Sequence, residues 1–346
     1  MLQILCTGTP HSIGLQHGKT ASLEISRSIE FYASLFQKLS KLDWPAVTQL
    51  ALTYQPYLSS NWPQYVSEME GVAEGAGVKY EDILALNVRT EIAFGAFSDG
   101  CTALSWKGEG GSVLAQNWDW NNDQLPNMIC LKIQKEDGLN IQMITEAGII
   151  GKIGLNSKGV GCTLNALKAK GVSFTSLPCH LALRTVMESS SRQDAVSTLE
   201  ASGVASSCHI LVADATGGTG LECTSEDIVR LEMNSDGIVT HTNHMVVKHK
   251  ESVVEAEDWL ADTRFRLERI DELLDGVKGK GVTTEAVESL LLDEKMGCGA
   301  SICRKETEEK GSLATLFSIV MDLEKTTAKV SMGRPVAPVE KLVLDP

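Results

Sequence analysis

The amino-acid sequence predicts an α+β fold in which sheets are sandwiched by helices. In the first hundred residues, apolar side chains recur at helical spacing, as at Ile25, Ile29 and Phe36 within residues 22–39. From Cys101 onward the chain changes to short strand-like segments separated by Gly, Asn and Asp. Strands and helices come in runs without regular alternation, which favours α+β over a parallel α/β sheet.

The elements follow this division in chain order. A short strand is predicted first, and then three helices, at residues 2–5, 22–39, 62–71 and 80–94. The strand-rich part is predicted at residues 102–106, 112–118, 128–134, 141–145, 149–155, 160–164, 209–213, 220–223, 228–232, 238–240, 314–321, 328–332 and 341–344. Later helices are predicted at residues 178–189, 192–202, 253–274 and 284–292. The sequence shows no repeat and no long polar linker, so we expect one domain over residues 1–346.

Composition excludes several classes of partner. A net charge of -14 and a pI near 5.0 would repel phosphate backbones, so no nucleic-acid partner is expected. No apolar run approaches the roughly 18 to 20 residues that cross a bilayer, and no basic segment precedes the apolar opening. Nine scattered cysteines and the absence of an Asn-X-Ser/Thr site favour a reducing compartment. Because the ending Leu344-Asp345-Pro346 also lacks a peroxisomal tripeptide, we expect a cytoplasmic protein with no membrane partner.

Common cofactor and nucleophile motifs are missing. The sequence contains no GxxxxGK[ST] loop, no complete GxGxxG opening a helix after a strand, no GxSxG elbow and no HExxH. Cys298 and Cys303 are separated by four residues, but no second Cys/His pair lies at zinc-finger spacing. We therefore expect no metal and no bound cofactor.

The Gly100-Cys101 step lies at the border between the two parts of the chain. A cysteine thiol can attack the carbonyl of the preceding residue, and a glycine there has no Cβ to oppose a strained conformation. Hydrolysis of the resulting thioester would leave fragments 1–100 and 101–346. The new α-amino group of Cys101, with a reference pKa of about 7.7 to 8.0, could then serve as the general base. From the dipeptide alone, an ordinary core cysteine remains the simpler interpretation.

Further segments strengthen the first interpretation. In order and spacing, segments from Met1 to the Gly333-Arg334-Pro335 region resemble those of the fungal isopenicillin N acyltransferase family. The segments are "MLQILCTGTP", "DGCT", "AQNWDW", "TEAGIIGKIGLNSKGV", "THTNH", "SICR", "ATLF" and "MGRPVAP". The resemblance covers nearly the whole chain, and it implies the four-layer αββα sandwich of the N-terminal nucleophile hydrolases.

The resemblance also implies a chemistry and a set of residues. The family's precursor cuts itself at Gly-Cys, and the two fragments stay together as a heterodimer. The new N-terminal cysteine is acylated and exchanges the side chain of isopenicillin N for an acyl group from a coenzyme A thioester. By resemblance, Cys101 is the nucleophile and the cleavage point. Asp119 matches the aspartate that helps to hold the amino group of the nucleophile and its polar surroundings, and Asn243 matches the asparagine of the oxyanion hole. For Arg89 and Glu91 we expect an internal ion pair, and neither is placed in the chemistry.

The sequence departs from the family at three points. Ser312 stands where the family has an active-site arginine before "ATLF", and a hydroxyl cannot replace a guanidinium that clamps a carboxylate. Arg304 in "SICR" is retained, but it is a different position. Thr224 replaces a family serine, and the peroxisomal tripeptide is absent. These differences predict a paralogue whose substrate need not be a penicillin, and no substrate-binding residue is assigned.

Three functions remain open at this stage. The first is transfer of an acyl group from Cys101 to an amine, with a small-molecule acyl donor and an amine acceptor as partners. The second is amide hydrolysis by the same mechanism, with water as the acceptor. The third is a catalytically idle homologue that keeps the fold for binding, motivated by the lost arginine. A thiol redox or metal-binding protein would need paired cysteines at short spacing, and none is found.

Overall fold

Two β-sheets form the centre of the molecule. The structure, a computed structural model, describes residues 1–93, 100–256, 259–307 and 313–346. Its strands are β1 (Leu2–Gly8), β2 (Gly100–Gly108), β3 (Gly111–Asn121), β4 (Met128–Lys135), β5 (Asn140–Glu146), β6 (Ile153–Asn156), β7 (Gly161–Ala166), β8 (Cys208–Asp214), β9 (Gly217–Cys223), β10 (Ile228–Glu232), β11 (Ile238–His241), β12 (Leu313–Asp322), β13 (Thr327–Met332) and β14 (Glu340–Leu344).

The strand order separates the chain into an eight-stranded and a six-stranded sheet. The first has the order β1-β4-β5-β6-β7-β8-β9-β10 and the second β11-β2-β3-β12-β13-β14. Among the described strands, β1 and β4 pair in parallel and the other neighbours pair antiparallel. β2 and β3 therefore lie inside the six-stranded sheet, where the candidate site begins.

Helices cover the outer faces of both sheets. They are α1 (Pro10–Thr20), α2 (Ser22–Leu39), α3 (Trp44–Ala51), α4 (Gln55–Asn61), α5 (Pro63–Ala76), α6 (Tyr80–Asn87), α7 (Arg89–Ala93), α8 (Cys179–Glu188), α9 (Arg192–Ser202), α10 (Thr263–Asp275) and α11 (Thr284–Leu291). Helices α8 and α9 contact the eight-stranded sheet, and α10 and α11 contact the six-stranded sheet. Strands β2 and β3 contact β7 across the interface between the sheets. The layers are therefore αββα, as the sequence resemblance implied.

A buried amide links the two sheets. The side chain of Gln116 in β3 donates from Nε2 to the carbonyl oxygen of Leu164 in β7 at 2.5 Å, and its Oε1 accepts from the Leu164 amide at 3.1 Å. Strand β6 pairs with β7 only at residues 161 and 162, so Leu164 has no strand partner on that side among the described residues. A buried peptide group without a hydrogen bond is costly, and Gln116 supplies both bonds while fixing the position of β3 over β7.

Helices α1 and α5 approach each other through glycines. A Cβ atom at Gly14 would lie 1.9 Å from the Glu68 carbonyl oxygen, and one at Gly71 would lie 2.2 Å from the carbonyl oxygen of His11. Any larger residue would force the backbones apart, so the spacing of these helices depends on glycine. Helix α1 also packs on β1.

Several predicted boundaries were wrong. The helix predicted over residues 253–274 begins at Thr263 among the described residues, because Glu255 forms a β-bridge with Ala169 and the amide of Ala256 donates to the carbonyl of Lys168. The strand predicted over residues 149–155 is confined to β6, because a turn follows Glu146 and the Asn87 side chain accepts the Ile150 amide. Residues 80–93 form two helices, and residue 94 lies outside the described residues. Helices α1, α3 and α4 were not predicted.

Candidate active site

Gly100 and Cys101 are the first residues of β2. Antiparallel pairing places Gly100 opposite Asp119 and Cys101 opposite Trp118 in β3. Directly opposed residues direct their side chains to the same face of a sheet, so Cys101 and Trp118 share a face. Cys101 is fully buried and is the second residue of β2.

The space around Gly100 is what excludes a side chain there. A Cβ atom at Gly100 would lie 2.8 Å from both Arg304 Nη2 and Asp119 Oδ2. The close approach of a buried ion pair therefore leaves no room for a side chain at Gly100.

Strand pairing also brings Asn243 to Cys101. β11 pairs with β2 so that His241 faces Ala103, and Asn243 follows two residues later at the level of Cys101. The Cys101 amide donates to Asn243 Oδ1 at 2.9 Å, and Asn243 Nδ2 donates to the Ala166 carbonyl oxygen at 3.1 Å. Both predicted site residues are thus in direct contact although 142 positions separate them.

Asp119 belongs to a buried charge quartet formed by Asp119, Asp262, Arg266 and Arg304. Arg304 Nε donates to Asp119 at 2.9 Å and Arg304 Nη2 to Asp262 at 2.5 Å, while Arg266 Nε donates to Asp262 at 2.7 Å. All four side chains are at most 1% exposed. Burial opposes ionisation of Asp262, but the guanidinium groups of Arg266 and Arg304 outweigh it and hold the pKa of Asp262 at about 2. Burial raises the pKa of Asp119, and the guanidinium groups of Arg304 and Arg266 offset this only in part.

One further bond fixes the carboxylate of Asp119. The Thr315 hydroxyl in β12 donates to Asp119 Oδ1 at 2.7 Å and accepts from the Arg304 amide at 2.9 Å. The register of β3 against β12 shifts at Thr315/Phe317, next to this contact. Asp119 is therefore held on both oxygens, next to the Gly100-Cys101 peptide.

Sequence reasoning missed two members of the quartet. Asp262 and Arg266 stand at i,i+4 spacing at the start of α10, within a segment that was predicted only as part of a helix over residues 253–274. Their spacing was visible in the sequence, but their burial was not. Arg304 was noticed through the resemblance, and the structure joins it to Asp119.

A cavity of about 250 Å³ lies on the face that Cys101 shares with Trp118. Trp118 lines it together with Trp120, Leu164 and Ala166. Four cationic residues also line it: Arg89, Lys152, Lys168 and Lys170. The Lys152 ammonium lies 3.7 Å from the centroid of the Trp118 ring. The cavity thus combines aromatic and aliphatic walls with positive charge close to the predicted nucleophile.

Two of the cations that line the cavity, Arg89 and Lys152, donate hydrogen bonds to one buried carboxylate. Glu146 accepts from Arg89 at 2.6 Å and from Lys152 at 2.5 Å, and it is fully buried. Burial opposes its ionisation, but the two cations outweigh that effect and hold the pKa of Glu146 well below its usual range. The carboxylate that forms an ion pair with Arg89 is therefore that of Glu146. Glu91 instead accepts from the Cys179 amide at 2.9 Å and the Ser206 hydroxyl at 2.7 Å, so an ion pair of Arg89 with Glu91 is not the arrangement found.

The Gly-Cys step occurs three times in the chain, and the surroundings differ. Cys162 follows Gly161 inside β7, where its thiol faces the carbonyl oxygens of Lys152 and Leu183 at 3.5 and 3.8 Å. Burial raises the pKa of Cys162 to about 12. Cys298 follows Gly297 and is the exposed cysteine of the nine. Cys101 alone among these three has its amide bonded to an asparagine side chain in the described hydrogen bonds.

Two departures noted in the sequence have different outcomes. The Thr224 hydroxyl donates to Asp227 Oδ1 at 2.8 Å and accepts the Glu226 and Asp227 amides, so it forms a turn after β9. Ser312 lies outside the described residues.

Among residues that the structure describes, no group of three or more His, Cys, Asp or Glu is arranged to hold a metal ion, and no helix is long and apolar enough to span a membrane.

Solved structures define the class of the fold. The penicillin V acylase from Agrobacterium tumefaciens is 13% identical and aligns with a TM-score of 0.50 over 71% of this chain and 86% of its own. A variant of the conjugated bile acid hydrolase from Clostridium perfringens is 16% identical, with a TM-score of 0.49 over 71% of this chain and 92% of its own. The αββα layers together with the acylase alignment give the fold of the N-terminal nucleophile hydrolases.

The sequence comparisons then identify the family. The family model of the acyl-coenzyme A:6-aminopenicillanic acid acyl-transferases matches residues 106–337. The acyl-coenzyme A:6-aminopenicillanic-acid-acyltransferase 40 kDa form of Emericella nidulans is 38% identical over 347 residues, covering 99% of this chain and 96% of the relative. The chain belongs to this acyltransferase family, and it is an enzyme of acyl transfer or amide hydrolysis. The family resemblance read from the sequence is confirmed.

Proposed function

We propose that the chain cuts itself between Gly100 and Cys101 and that Cys101 then carries an acyl group from a thioester donor to an amine. The acyl donor is a coenzyme A thioester, as the names of the matching family and of the Emericella nidulans relative suggest. The amine acceptor is a small molecule of the 6-aminopenicillanic acid type or a related secondary metabolite. The observation that carries the proposal is the contact of the Cys101 amide with Asn243 beside the buried Asp119.

The cut converts a peptide into a free amine. The Cys101 thiol attacks the Gly100 carbonyl, the amide nitrogen leaves with a proton, and Gly100 becomes a thioester of Cys101. Water then hydrolyses the thioester to give the Gly100 carboxylate and a free thiol with a free α-amino group. Asn243 Oδ1 already accepts the hydrogen bond of this nitrogen at 2.9 Å, and the Asp119 carboxylate lies on the neighbouring strand.

Acyl transfer uses the same groups. The α-amino group, with a reference pKa of about 7.7 to 8.0, takes the proton of the Cys101 thiol as the thiol attacks the donor carbonyl. The donor thiol leaves, the acceptor amine attacks the acyl thioester, and the Cys101 thiol is regenerated. Asn243 Nδ2 has one hydrogen bonded to the Ala166 carbonyl and a second to offer to the oxyanion. Because Ala166 lines the cavity, the acyl group would occupy the space beside Trp118.

The two fragments would stay together after the cut. β1 comes from fragment 1–100 and pairs along its length with β4 of fragment 101–346. Side chains of α1, α2 and α5 also belong to the hydrophobic core that both fragments share. Native mass spectrometry should therefore show a heterodimer, and dissociation without denaturant would contradict this part of the proposal.

Intact mass spectrometry of the purified protein tests the cut. We expect the wild type to give fragments of residues 1–100 and 101–346, and Cys101→Ala to give one full-length chain. Cys162→Ala is the matched control, because it removes a buried cysteine from the same Gly-Cys-Thr sequence, and it should be cut like the wild type. A folded wild type that stays uncut would support the idle homologue and refute the proposal.

The identity of the acceptor separates transfer from hydrolysis. The processed enzyme is incubated with one acyl-coenzyme A donor, with and without 6-aminopenicillanic acid or a related amine, and the products are followed by liquid chromatography and mass spectrometry. Amide product that depends on the amine supports transfer. Free acid in every case would indicate hydrolysis with water as the acceptor, the kind of reaction that the name of the penicillin V acylase indicates for that protein.

A further inference from the structure

Arg266 is a buried arginine that touches both ends of the predicted catalytic machinery. It stands in α10 and is fully buried. Its Nη1 donates to the Cys101 carbonyl oxygen at 2.5 Å and to the Thr102 hydroxyl at 3.2 Å. Its Nη2 donates to Asn243 Oδ1 at 2.8 Å. One planar guanidinium therefore fixes the distance between the backbone of the nucleophile and the side chain of the asparagine.

The contact with Asn243 decides which amide atom points where. The oxygen and the NH₂ group of an asparagine have nearly the same shape, and their hydrogen-bond partners determine the orientation. A guanidinium only donates, as does the Cys101 amide, so both require the oxygen of Asn243. The NH₂ group must then face the carbonyl oxygen of Ala166, a residue that lines the cavity. An oxyanion needs a donor on that side.

The surroundings hold Arg266 itself in place. Asp262 accepts from Arg266 Nε and from Arg304, so the guanidinium of Arg266 is also held through its Nε. The backbone N–H of Asn243 donates to the Thr263 hydroxyl at 2.7 Å, and Thr263 is the first residue of α10. Helix α10 thus holds both the backbone and the side chain of Asn243.

We propose that Arg266 is a positioning residue that keeps the Asn243 NH₂ group directed at Ala166, a residue of the cavity wall, through its bond to Asn243 Oδ1. The proposal rests on the function proposed above, and it adds a residue to which no role has been given. Arg266 does not touch the acyl group, and it acts only through Asn243 and the Cys101 backbone. Without Arg266, the Cys101 amide and the Ala166 carbonyl are the described groups that still select this orientation.

A kinetic cycle tests the positioning role in the processed enzyme. We expect Asn243→Ala and Arg266→Met each to lower kcat about 100-fold, as loss of an oxyanion donor does, with KM changed by less than about threefold. The double variant should be no slower than Asn243→Ala alone, because the two residues act as a unit. If Arg266→Met slows the Asn243→Ala variant as much as it slows the wild type, Arg266 is merely structural and the proposal is refuted.

Two further variants guard against a folding effect. Arg266→Lys keeps the charge of the quartet but cannot bridge Cys101 and Asn243, so it should fold and still lose kcat. Arg184→Met removes an equally buried arginine whose bonds go to Glu68, Glu188 and the Ile150 carbonyl. It should lower stability without reproducing the coupling to Asn243. An Arg266→Lys enzyme with the wild-type kcat would contradict the proposal.

A diffraction experiment decides the orientation without any turnover. In Cys101→Ala crystals that diffract beyond about 1.2 Å, we expect two hydrogens on the Asn243 atom that faces Ala166. In the Cys101→Ala/Arg266→Met protein the amide should turn or split between two orientations. An amide that stays unchanged without Arg266 overturns the inference. If the wild type shows no acyl transfer, the proposed function fails while this measurement still judges Arg266.

Discussion

Gly100→Ala tests whether close packing excludes a side chain at the residue before Cys101. The added Cβ would lie 2.8 Å from Arg304 Nη2 and from Asp119 Oδ2, and 3.0 Å from Arg304 Nε. These atoms belong to a buried ion pair, so they cannot move without weakening it. Overpacking of this kind costs about 1–3 kcal/mol of unfolding free energy. We expect a loss in the upper half of that range, because the displaced atoms are charged.

The measurement is urea unfolding in a Cys101→Ala background, where the chain stays uncut and processing cannot alter stability. Gly279→Ala is the matched control, since a Cβ there meets nothing within 4 Å and its φ angle is not in the left-handed region. It should change the unfolding free energy by less than about 0.5 kcal/mol. If Gly100→Ala costs no more than Gly279→Ala, the packing argument is refuted.

Three further predictions concern charge and thiols. The folded pKa of Asp262, about 2, lies below its unfolded value near 3.9, so the contribution of Asp262 to the unfolding free energy is complete above pH 4 and is lost as pH falls to 2. Between pH 5 and pH 2.5, urea unfolding should show that Asp262→Asn loses about 2 kcal/mol less unfolding free energy than the wild type does. Equal losses in the two proteins would contradict this. Glu146→Gln should lower the unfolding free energy by about 3–5 kcal/mol, because two buried cations donate to that carboxylate. Glu200→Gln, which removes a charge from a surface pair, should lower it by at most about 1 kcal/mol. Similar values for the two variants would refute the argument from burial. In uncut Cys101→Ala protein an aromatic disulfide reagent should modify one thiol rapidly, Cys298, and Cys298→Ser should abolish that phase; a fast phase that persists would show a second accessible thiol.

Much of the fold could be predicted from the sequence because its elements carry their own periodicity. The strands around Cys101 and the helix over residues 22–39 were predicted close to their observed positions. The helix predicted from residue 253 failed because Glu255 and Ala256 find partners in the segment 168–169, and no local pattern records that contact. Helix α1 was missed because its glycines weaken the helical signal, and those same glycines are needed for its contact with α5.

The candidate site divides along the same line. Cys101, Asp119 and Asn243 were predicted because short motifs resemble a family, and the pairing of β2 with β3 and the course of the chain after β11 bring the three together. Asp262 and Arg266 carry no motif. Their charges suggest a solvated helix surface, and only the packing of α10 on the sheet buries them against Asn243.

The sequence by itself determined the α+β class, the family and the position of the Gly100-Cys101 step, since periodicity and motifs are local properties of the chain. Tertiary structure decided which of three Gly-Cys steps faces an asparagine, why Gly100 has no room for a side chain, and which amide atom of Asn243 faces the cavity. These depend on contacts between residues far apart in the chain, such as Arg304 with Asp119, which are 185 positions apart. Packing of the two sheets and α10 fixes such contacts, and neighbours along the chain do not specify them.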